Sequence, residues 1–353
     1  MLPFWLLVLI FLAAAGAIWV AGIHLSRYTD VLAERLHLGA ALGGVILLAI
    51  TTNLPELAIT VSAAIQGDLS IAVGNILGGI AIQTAVLALL DLIGVGGSRS
   101  LTYRAGSLSL IVEAAVVIAI LAVVIAGTQM PADLIFIGLT PDTVLIAAIW
   151  VIGLLLVTRA GKGMSWYDDG QAPDSQLEPM GHSRAMQEEI ATATGTSTAK
   201  AAAIFIAAAI VTLVAGVALE RSGSAMANQI GLSGLLFGAT VLAFATSLPE
   251  ISTGLAAVRM GDYKLAVSDI FGGNAFLPVL FLLATVISGN AVLPAAQAND
   301  IYLTALAILL TLVYLLGIAF RPRQKVLGMG IDSLLVLILY AVGTAGLFAI
   351  GGT

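Results

Sequence analysis

The sequence predicts an all-α integral membrane protein of ten transmembrane helices, arranged as two inverted five-helix repeats with broken helices at the middle of the membrane. Three observations support this prediction. Of the 353 residues, 60% are hydrophobic and only 10% are charged. Ten stretches are long and apolar enough to be considered as spans. One segment of the first half recurs in the second half.

The composition excludes most classes of soluble protein. Mean hydropathy is +1.09, and a soluble chain of this length would need more charged side chains to cover its surface. The net charge of −6 argues against nucleic-acid binding, and the absence of cysteine excludes disulfides, thiolate metal sites and cysteine nucleophiles. We therefore expect a protein whose surface faces the lipid bilayer.

A helix needs about 20 mostly apolar residues to cross the hydrocarbon core of a bilayer. Glycine, proline and polar residues interrupt the second, third, seventh and eighth of the predicted spans. The ten predicted spans are 3–23, 38–65, 70–94, 107–126, 142–158, 201–219, 232–258, 264–288, 301–319 and 331–350.

The distribution of basic residues predicts the topology. Thirteen of the 14 Lys and Arg residues lie in odd-numbered loops, and Arg221 alone lies in an even-numbered one. Because basic residues stay on the cytoplasmic side of short loops, we expect a multi-pass protein of the plasma (inner) membrane with both termini outside. The repeats are predicted at 1–160 and 200–353, and the polar segment 161–199 is predicted to be a cytoplasmic linker. The alternative for this segment is a regulatory role in which Asp168 and Asp169 contact a cation.

An internal repeat supports the division into halves. Shifted by 194 residues, 49–79 aligns with 243–273 without a gap, with 13 identities in 31 positions. Pro-Glu, Gly-Asp and Gly-Gly pairs fall in register, which apolar composition alone would not produce. Because each half has an odd number of spans, the second copy would lie upside down relative to the first. Inverted repeats with broken helices are the usual construction of secondary transporters.

The repeated segment contains the predicted site. Glu56 and Glu250 lie at equivalent positions inside apolar spans, where a carboxylate costs about 2.5–3.5 kcal/mol on insertion scales. The alternative, a protonated glutamate that serves packing, does not explain two equivalent positions. Pro55 and Pro249 each remove a backbone hydrogen bond and expose carbonyl oxygens about one turn earlier.

Further oxygen donors flank the two carboxylates. Such an all-oxygen site suits Ca²⁺, Mg²⁺ or Na⁺ rather than a transition metal. Glycines at one-turn spacing in the third and eighth spans predict close helix packing, which would bring more polar side chains near the site. The flanking donors are Thr52, Asn53, Thr246 and Ser247, and the residues brought near are Asn75, Gln83, Asp269 and Asn274.

These motifs resemble the two α-repeats of the cation/Ca²⁺ exchanger superfamily, in particular those of prokaryotic Na⁺/Ca²⁺ exchangers. The resemblance implies that Glu56 and Glu250 carry the divalent ion. Oxygens of Thr52 and Thr246 would complete its site, together with the carbonyls of Ala49 and Ala243. Asn53 and Ser247 would serve the Na⁺ sites.

The chain departs from the family pattern at several positions expected to hold Na⁺. The family commonly has Ser where Gly79 and Gly273 stand, Asn where Gln83 stands, and Asp where Leu277 stands. Ile80 replaces the Asn that the second repeat keeps as Asn274. The positions matching the Ca²⁺ site are retained.

The expected function is therefore Ca²⁺/Na⁺ antiport by alternating access, with the first and sixth spans moving past spans 2, 3, 7 and 8. Ca²⁺/H⁺ exchange, K⁺-dependent exchange and a passive cation channel are the alternatives. We expect no enzymatic activity, no cofactor, no nucleic acid and no obligatory protein partner. A protease is disfavoured because there is no HExxH or GxSxG motif and because His24, His37 and His182 lie outside the predicted spans.

Overall fold

The computed structural model describes residues 2–35, 45–96, 99–161, 197–231 and 237–351. Most of the predicted linker, including Asp168 and Asp169, lies outside these residues, as do His37, His182 and the first residues of the second predicted span. The described parts are almost entirely helical.

The first half has seven helices. They are α1 (Phe4–Arg35), α2 (Val45–Thr52), α3 (Leu54–Gln66), α4 (Leu69–Ile93), α5 (Leu101–Ala105), α6 (Leu108–Gly127) and α7 (Pro141–Gly161).

The second half has seven helices, short π and 3₁₀ turns, and a two-stranded antiparallel hairpin. The elements are α8 (Thr198–Ile230), a π turn (Gly238–Leu242), α9 (Ala243–Thr246), α10 (Leu248–Arg259), α11 (Tyr263–Phe276), a 3₁₀ turn (Leu277–Val279), α12 (Leu280–Ser288), a 3₁₀ turn (Leu293–Ala295), α13 (Ala298–Phe320), β1 (Lys325–Val326), β2 (Met329–Gly330) and α14 (Ile331–Gly351).

Seven helices in the described residues are long and apolar enough to cross a membrane, and the number is eight if the bent pair around Ser247 is counted as one span. The apolar helices 54–66 and 331–347 coincide with the two remaining predicted spans but are shorter. The protein is thus a multi-pass membrane protein, and the number ten stays a prediction.

Helices α1 and α8 are longer than predicted, with 32 and 33 residues. At 1.5 Å per residue each is about 48 Å long, so they must tilt or project beyond a bilayer core of about 30 Å. The placement of His24 outside the first span was wrong, because it lies in the candidate span Phe4–Thr29. The helix continues there because Ala21 and Leu25 keep one apolar face buried.

The last two long helices of each half correspond closely. Helices α6 and α7 begin at 108 and 141, and α13 and α14 begin 190 residues later, at 298 and 331. Each pair is joined through a tight turn whose two central residues have positive φ, Ile137 and Gly138 in the first half and Leu327 and Gly328 in the second. This correspondence supports a repeat that extends beyond the 31-residue window.

The centre of the bundle is formed by α4 and the helices that contact it. Although α4 is mostly apolar, 83% of its most hydrophobic window is buried inside the protein, compared with 17% for α7. Helix α4 is therefore surrounded by protein, and α7 is exposed on the periphery. A polar side chain on α4 can meet other polar groups without facing lipid.

Candidate functional site

The first break lies between α2 and α3. Helix α2 ends at Thr52, Asn53 has φ −87° and ψ 14°, and α3 restarts at Leu54. Pro55 cannot donate a backbone hydrogen bond, and its ring suits the first turn of a new helix rather than the interior of a continuing one. The break places the fully buried Glu56 in the first turn of α3.

The second half repeats this arrangement. Helix α9 ends at Thr246, Ser247 has φ −79° and ψ 5°, and α10 restarts at Leu248. The chain bends by 47° at this break. Pro249 and the buried Glu250 occupy the first turn of α10. Both glutamates therefore lie at helix N-termini, where the helix dipole favours negative charge.

The side-chain amide of Gln83, on α4, joins the two glutamates. Its Nε2 lies 3.4 Å from Glu56 Oε1 and 3.4 Å from Glu250 Oε1. The same nitrogen donates to Asn53 Oδ1 at 3.2 Å. The two carboxylates thus converge on a single neutral donor in the protein interior.

The other oxygen atom of each glutamate has no hydrogen-bond partner, and neither does the amide oxygen of Gln83. Glu250 experiences the negative charges of both Glu56 and Asp269. Among the described residues, no group of three or more Asp, Glu or His side chains is placed to hold a metal ion. A cation here would depend on two carboxylates supplemented by amide, hydroxyl and carbonyl oxygens.

The hydroxyls next to the glutamates donate to their own helices. Thr52 Oγ1 donates to the carbonyls of Leu48 and Ala49, at 3.1 and 3.3 Å. Thr246 Oγ1 and Ser247 Oγ donate to Ala243 O at 3.1 and 2.8 Å. Because each hydroxyl has one hydrogen and uses it in this way, its lone pairs face away from its own helix.

Each threonine lies beside the glutamate of the other half. Thr246 is next to Glu56, and Thr52 is next to Glu250. The site is therefore shared by the two breaks.

The carbonyls of the two upstream alanines are already engaged. Ala49 O accepts from Asn53 Nδ2 at 2.6 Å and from Thr52 Oγ1, and Ala243 O accepts from both hydroxyls of its own break. In this arrangement they support the hydroxyl and amide groups of the site.

The glycines predicted near the site allow close approach. A Cβ added at Gly273 would lie 2.7 Å from Asn53 Nδ2, so α11 contacts the first break directly. A Cβ at Gly79 would lie 3.6 Å from Leu277, the buried residue that stands where the family commonly has Asp. The packing interpretation of these glycines agrees with the structure.

The remaining predicted polar residues are Asp269, Asn274 and Asn75, all buried. Asp269 accepts a hydrogen bond from Thr253 Oγ1 at 2.9 Å. Asn274 donates to Thr84 Oγ1 at 2.9 Å, and the buried amide of Asn75 has no hydrogen-bond partner. Thr84 and Thr253 were not predicted. No motif marks them, since threonine is a common packing residue in membrane helices.

The comparisons with known proteins agree with the geometry. The family model described as sodium/calcium exchanger protein matches residues 6–159 and 200–349. The chain belongs to this family. It is 24% identical over 293 residues to the inner membrane protein YrbG of Escherichia coli, covering 82% of this chain and 81% of YrbG. It is 27% identical over 285 residues to the putative antiporter CaxA of Alkalimonas amylolytica, covering 80% and 81%.

The fold is similar to that of a solved structure of the sodium-calcium exchanger NCX_Mj. The TM-score is 0.60 and the sequence identity 17%, and the match covers 97% of this chain and 99% of NCX_Mj. Taken with the family assignment, this makes the protein a membrane transporter of the cation/Ca²⁺ exchanger superfamily, as the resemblance implied.

Replacing Gln83 with Leu is expected to destabilise the protein in the absence of divalent cations. The change removes the donor shared by Glu56 and Glu250, and loss of a buried partner costs about 1–3 kcal/mol. Thermal unfolding in detergent should show a lower melting temperature. Asn75→Leu is the matched control on the same helix, since its buried amide has no partner to lose. An equal decrease in both variants would contradict the bridging role of Gln83.

Proposed function

We propose that the protein is a secondary antiporter that exchanges Ca²⁺ for Na⁺ across the plasma (inner) membrane by alternating access at Glu56 and Glu250. The observation that carries this proposal is the convergence of the two buried carboxylates on Gln83 Nε2. Each carboxylate comes from the break of a different half. A cation between them would contact both halves at once.

Charge favours a divalent ion at this position. Two carboxylates that face each other in a low-dielectric interior repel strongly, and one Ca²⁺ would cancel both charges. Two or more Na⁺ ions, or two protons, would do the same. An unneutralised site would resist closure against water, so the protein would change sides only when loaded. Such a requirement gives exchange rather than a leak.

The oxygen donors support a hard cation. The unpaired Glu oxygens and the lone pairs of Thr52 and Thr246 supply ligands from both breaks. A 180° rotation of the Gln83 side-chain amide would exchange the positions of Nε2 and Oε1, so that Oε1 would face the ion. Asn53 and Ser247, one at each break, are the proposed Na⁺ ligands, with Asn75, Asp269, Asn274, Gly79 and Gly273 around them.

Helices α1 and α8 are the proposed moving elements. They pack along each other, and each also packs against the broken helix that carries the glutamate of the other half. A Cβ added at Gly22 of α1 would lie 3.0 Å from Pro249 Cβ, and one at Gly216 of α8 would lie 3.1 Å from the carbonyl oxygen of Pro55. These two glycines are 194 residues apart, the offset of the repeat. Sliding of α1 and α8 would thus pass directly over both breaks.

The topology proposed with this function has two inverted repeats, 1–160 and 200–353, with both termini outside and the linker 161–199 in the cytoplasm. The support is the loop distribution of basic residues and the correspondence of α6–α7 with α13–α14.

Glu56→Gln and Glu250→Gln are each expected to abolish uptake of radiolabelled Ca²⁺ into proteoliposomes. Each substitution removes one of the two charges that bind the divalent ion. Glu113→Gln is the matched control, because Glu113 lies on α6 beside Ser268 and contributes no contact to Gln83. Uptake by Glu56→Gln equal to that of the unmodified protein would refute the paired-carboxylate site.

The coupling ion is expected to be Na⁺. Ca²⁺ uptake should be driven by an outward Na⁺ gradient and should be unaffected by an imposed pH gradient or by K⁺. Uptake driven by the pH gradient alone would establish the Ca²⁺/H⁺ alternative, and a requirement for K⁺ the K⁺-dependent one. Flux that needs no counter-ion on the far side would indicate a channel.

Gly22→Ala and Gly216→Ala are expected to slow exchange at least several-fold while leaving equilibrium Ca²⁺ binding unchanged. The added methyl groups press on Pro249 and Pro55 and impede sliding. Gly16→Ala on α1 is the control, because a Cβ there meets nothing within 4 Å. Uptake rates and binding isotherms measured on the same preparations test this, and unchanged rates would argue against α1 and α8 as the moving helices.

A further inference from the structure

A second pair of buried carboxylates lies outside the transport site. Asp91 is near the end of α4, and Asp332 is the second residue of α14. Asp91 is fully buried and Asp332 is 6% exposed. They meet where the hairpin β1–β2 joins α14 to the end of α4. Neither residue contributes to the contacts between Glu56, Glu250 and Gln83.

Asp91 is held in place by neutral donors. Its Oδ1 accepts from Leu101 N at 2.9 Å, and its Oδ2 accepts from Gly330 N at 2.7 Å and from Ser333 Oγ at 2.8 Å. These bonds connect the end of α4 to the beginnings of α5 and α14. They fix the position of the carboxylate, but no basic side chain is among these three donors.

Asp332 is buried with both carboxylate oxygens lacking a hydrogen-bond partner. The hydroxyl of Thr102 and the backbone N–H groups of Asp332 and Ser333, in the first turn of α14, face this carboxylate. Gly317 and Gly330 leave the space that its carboxylate occupies. A Cβ added at Gly330 would collide with Asp332 Oδ1 and would lie 3.2 Å from Asp91 Oδ2. Both carboxylates therefore lie close to the α-carbon of Gly330.

Two basic side chains of this region, Arg321 and Lys325, each donate a hydrogen bond to a backbone carbonyl. Lys325 Nζ donates to Val95 O at 3.1 Å, and the guanidinium of Arg321 donates to Gly106 O. A second carboxylate, that of Asp91, lies near Asp332 at the Gly330 backbone. Two buried ionised carboxylates would lower the free energy of unfolding unless a cation bound between them.

The equivalent position in the first half gives an internal comparison. Asp142 begins α7 as Asp332 begins α14, and it too is buried with no hydrogen-bond partner, beside Gly127. The N-terminus of α7 favours the negative charge of Asp142, and the N-terminus of α14 favours that of Asp332. The repeat offset of 194 pairs Asp91, however, with Thr285. Asp332 therefore has a second acid, Asp91, beside it. In the other half, the position equivalent to Asp91 is occupied by Thr285, so Asp142 has no such acidic neighbour there.

We propose that Asp91 and Asp332 bind a divalent cation of the Ca²⁺ class at a site separate from the transport site. Two carboxylates match its charge, and the hydroxyls of Ser100, Thr102 and Ser333 add oxygen donors, which are the ligands such ions prefer. A carboxylate that binds a metal is usually oriented by hydrogen bonds from neighbouring groups. The three donors to Asp91 would orient it in this way. Bound cation would fasten α4 and α5 to the hairpin and α14. This proposal does not depend on the proposed function.

Ca²⁺ binding to the purified full-length protein tests the proposal. Equilibrium dialysis with radiolabelled Ca²⁺ should give two ions per chain for the unmodified protein and one for the Glu56→Gln/Glu250→Gln variant. Adding Asp332→Asn to that variant should remove the remaining ion, whereas adding Asp142→Asn should leave it. If the double variant binds no Ca²⁺, or if Asp332→Asn leaves its binding unchanged, the proposal is overturned.

The two proposals fail in different ways. If Glu56→Gln/Glu250→Gln keeps two ions and Asp332→Asn alone loses one, the second site stands and the proposed transport site fails. If the unmodified protein binds one ion that only the glutamate substitutions remove, the second site is overturned and the transport site stands.

Thermal unfolding gives a second readout that does not depend on counting ions. Ca²⁺ should raise the melting temperature of the Glu56→Gln/Glu250→Gln variant and should not raise it once Asp332→Asn is added. Thr102→Val, which removes one hydroxyl and leaves both carboxylates, should retain the shift but require more Ca²⁺ for it. Equal Ca²⁺ dependence with and without Thr102→Val and Asp332→Asn would contradict the site.

Discussion

The convergence of Glu56 and Glu250 on the amide of Gln83 is the arrangement on which the neighbouring helices depend. The two carboxylates face a common amide in a protein interior, where charges interact far more strongly than in water. The broken helices make this arrangement possible in two ways. The N-termini of α3 and α10 favour the negative charges, while the carbonyl ends of α2 and α9 favour a cation beside them. A continuous helix through either position would offer neither.

The helices around the breaks follow from the same arrangement. Helix α4 must be enclosed by protein, because it carries Gln83 into the site, and the small residues Gly79 and Gly273 let α4 and α11 approach closely enough. Helices α1 and α8 have no such polar task and touch the breaks through Gly22 and Gly216. Helix α8 is also joined to α3 by the hydrogen bond from Ser62 Oγ to Glu220 Oε2.

Sequence reasoning predicted the breaks, the two glutamates and the glycine packing, because proline, buried charge and one-turn spacing have local physical consequences. It did not predict the full lengths of α1 and α8, since the apolar runs end where polar residues begin, at His24 in α1 and at Glu220 in α8. It also missed the correspondence of α6–α7 with α13–α14. Their offset is 190 rather than 194, and an ungapped shift cannot detect it. The meeting of Asp91 with Asp332 depends on tertiary packing across 241 positions and has no motif.

The two halves match in geometry but differ in charge. The contacts of Gly22 with Pro249 and of Gly216 with Pro55 are equivalent, as are the hydroxyl bonds to Ala49 and Ala243. In contrast, Asp269 stands at the position equivalent to Asn75 and places a further carboxylate near Glu250. If a cation lies between the glutamates as proposed, Asp269 would attract it toward the second half. Under the proposed mechanism, equal packing would allow the same sliding on both sides of the membrane, while unequal charge would make the inward and outward forms bind the ion unequally.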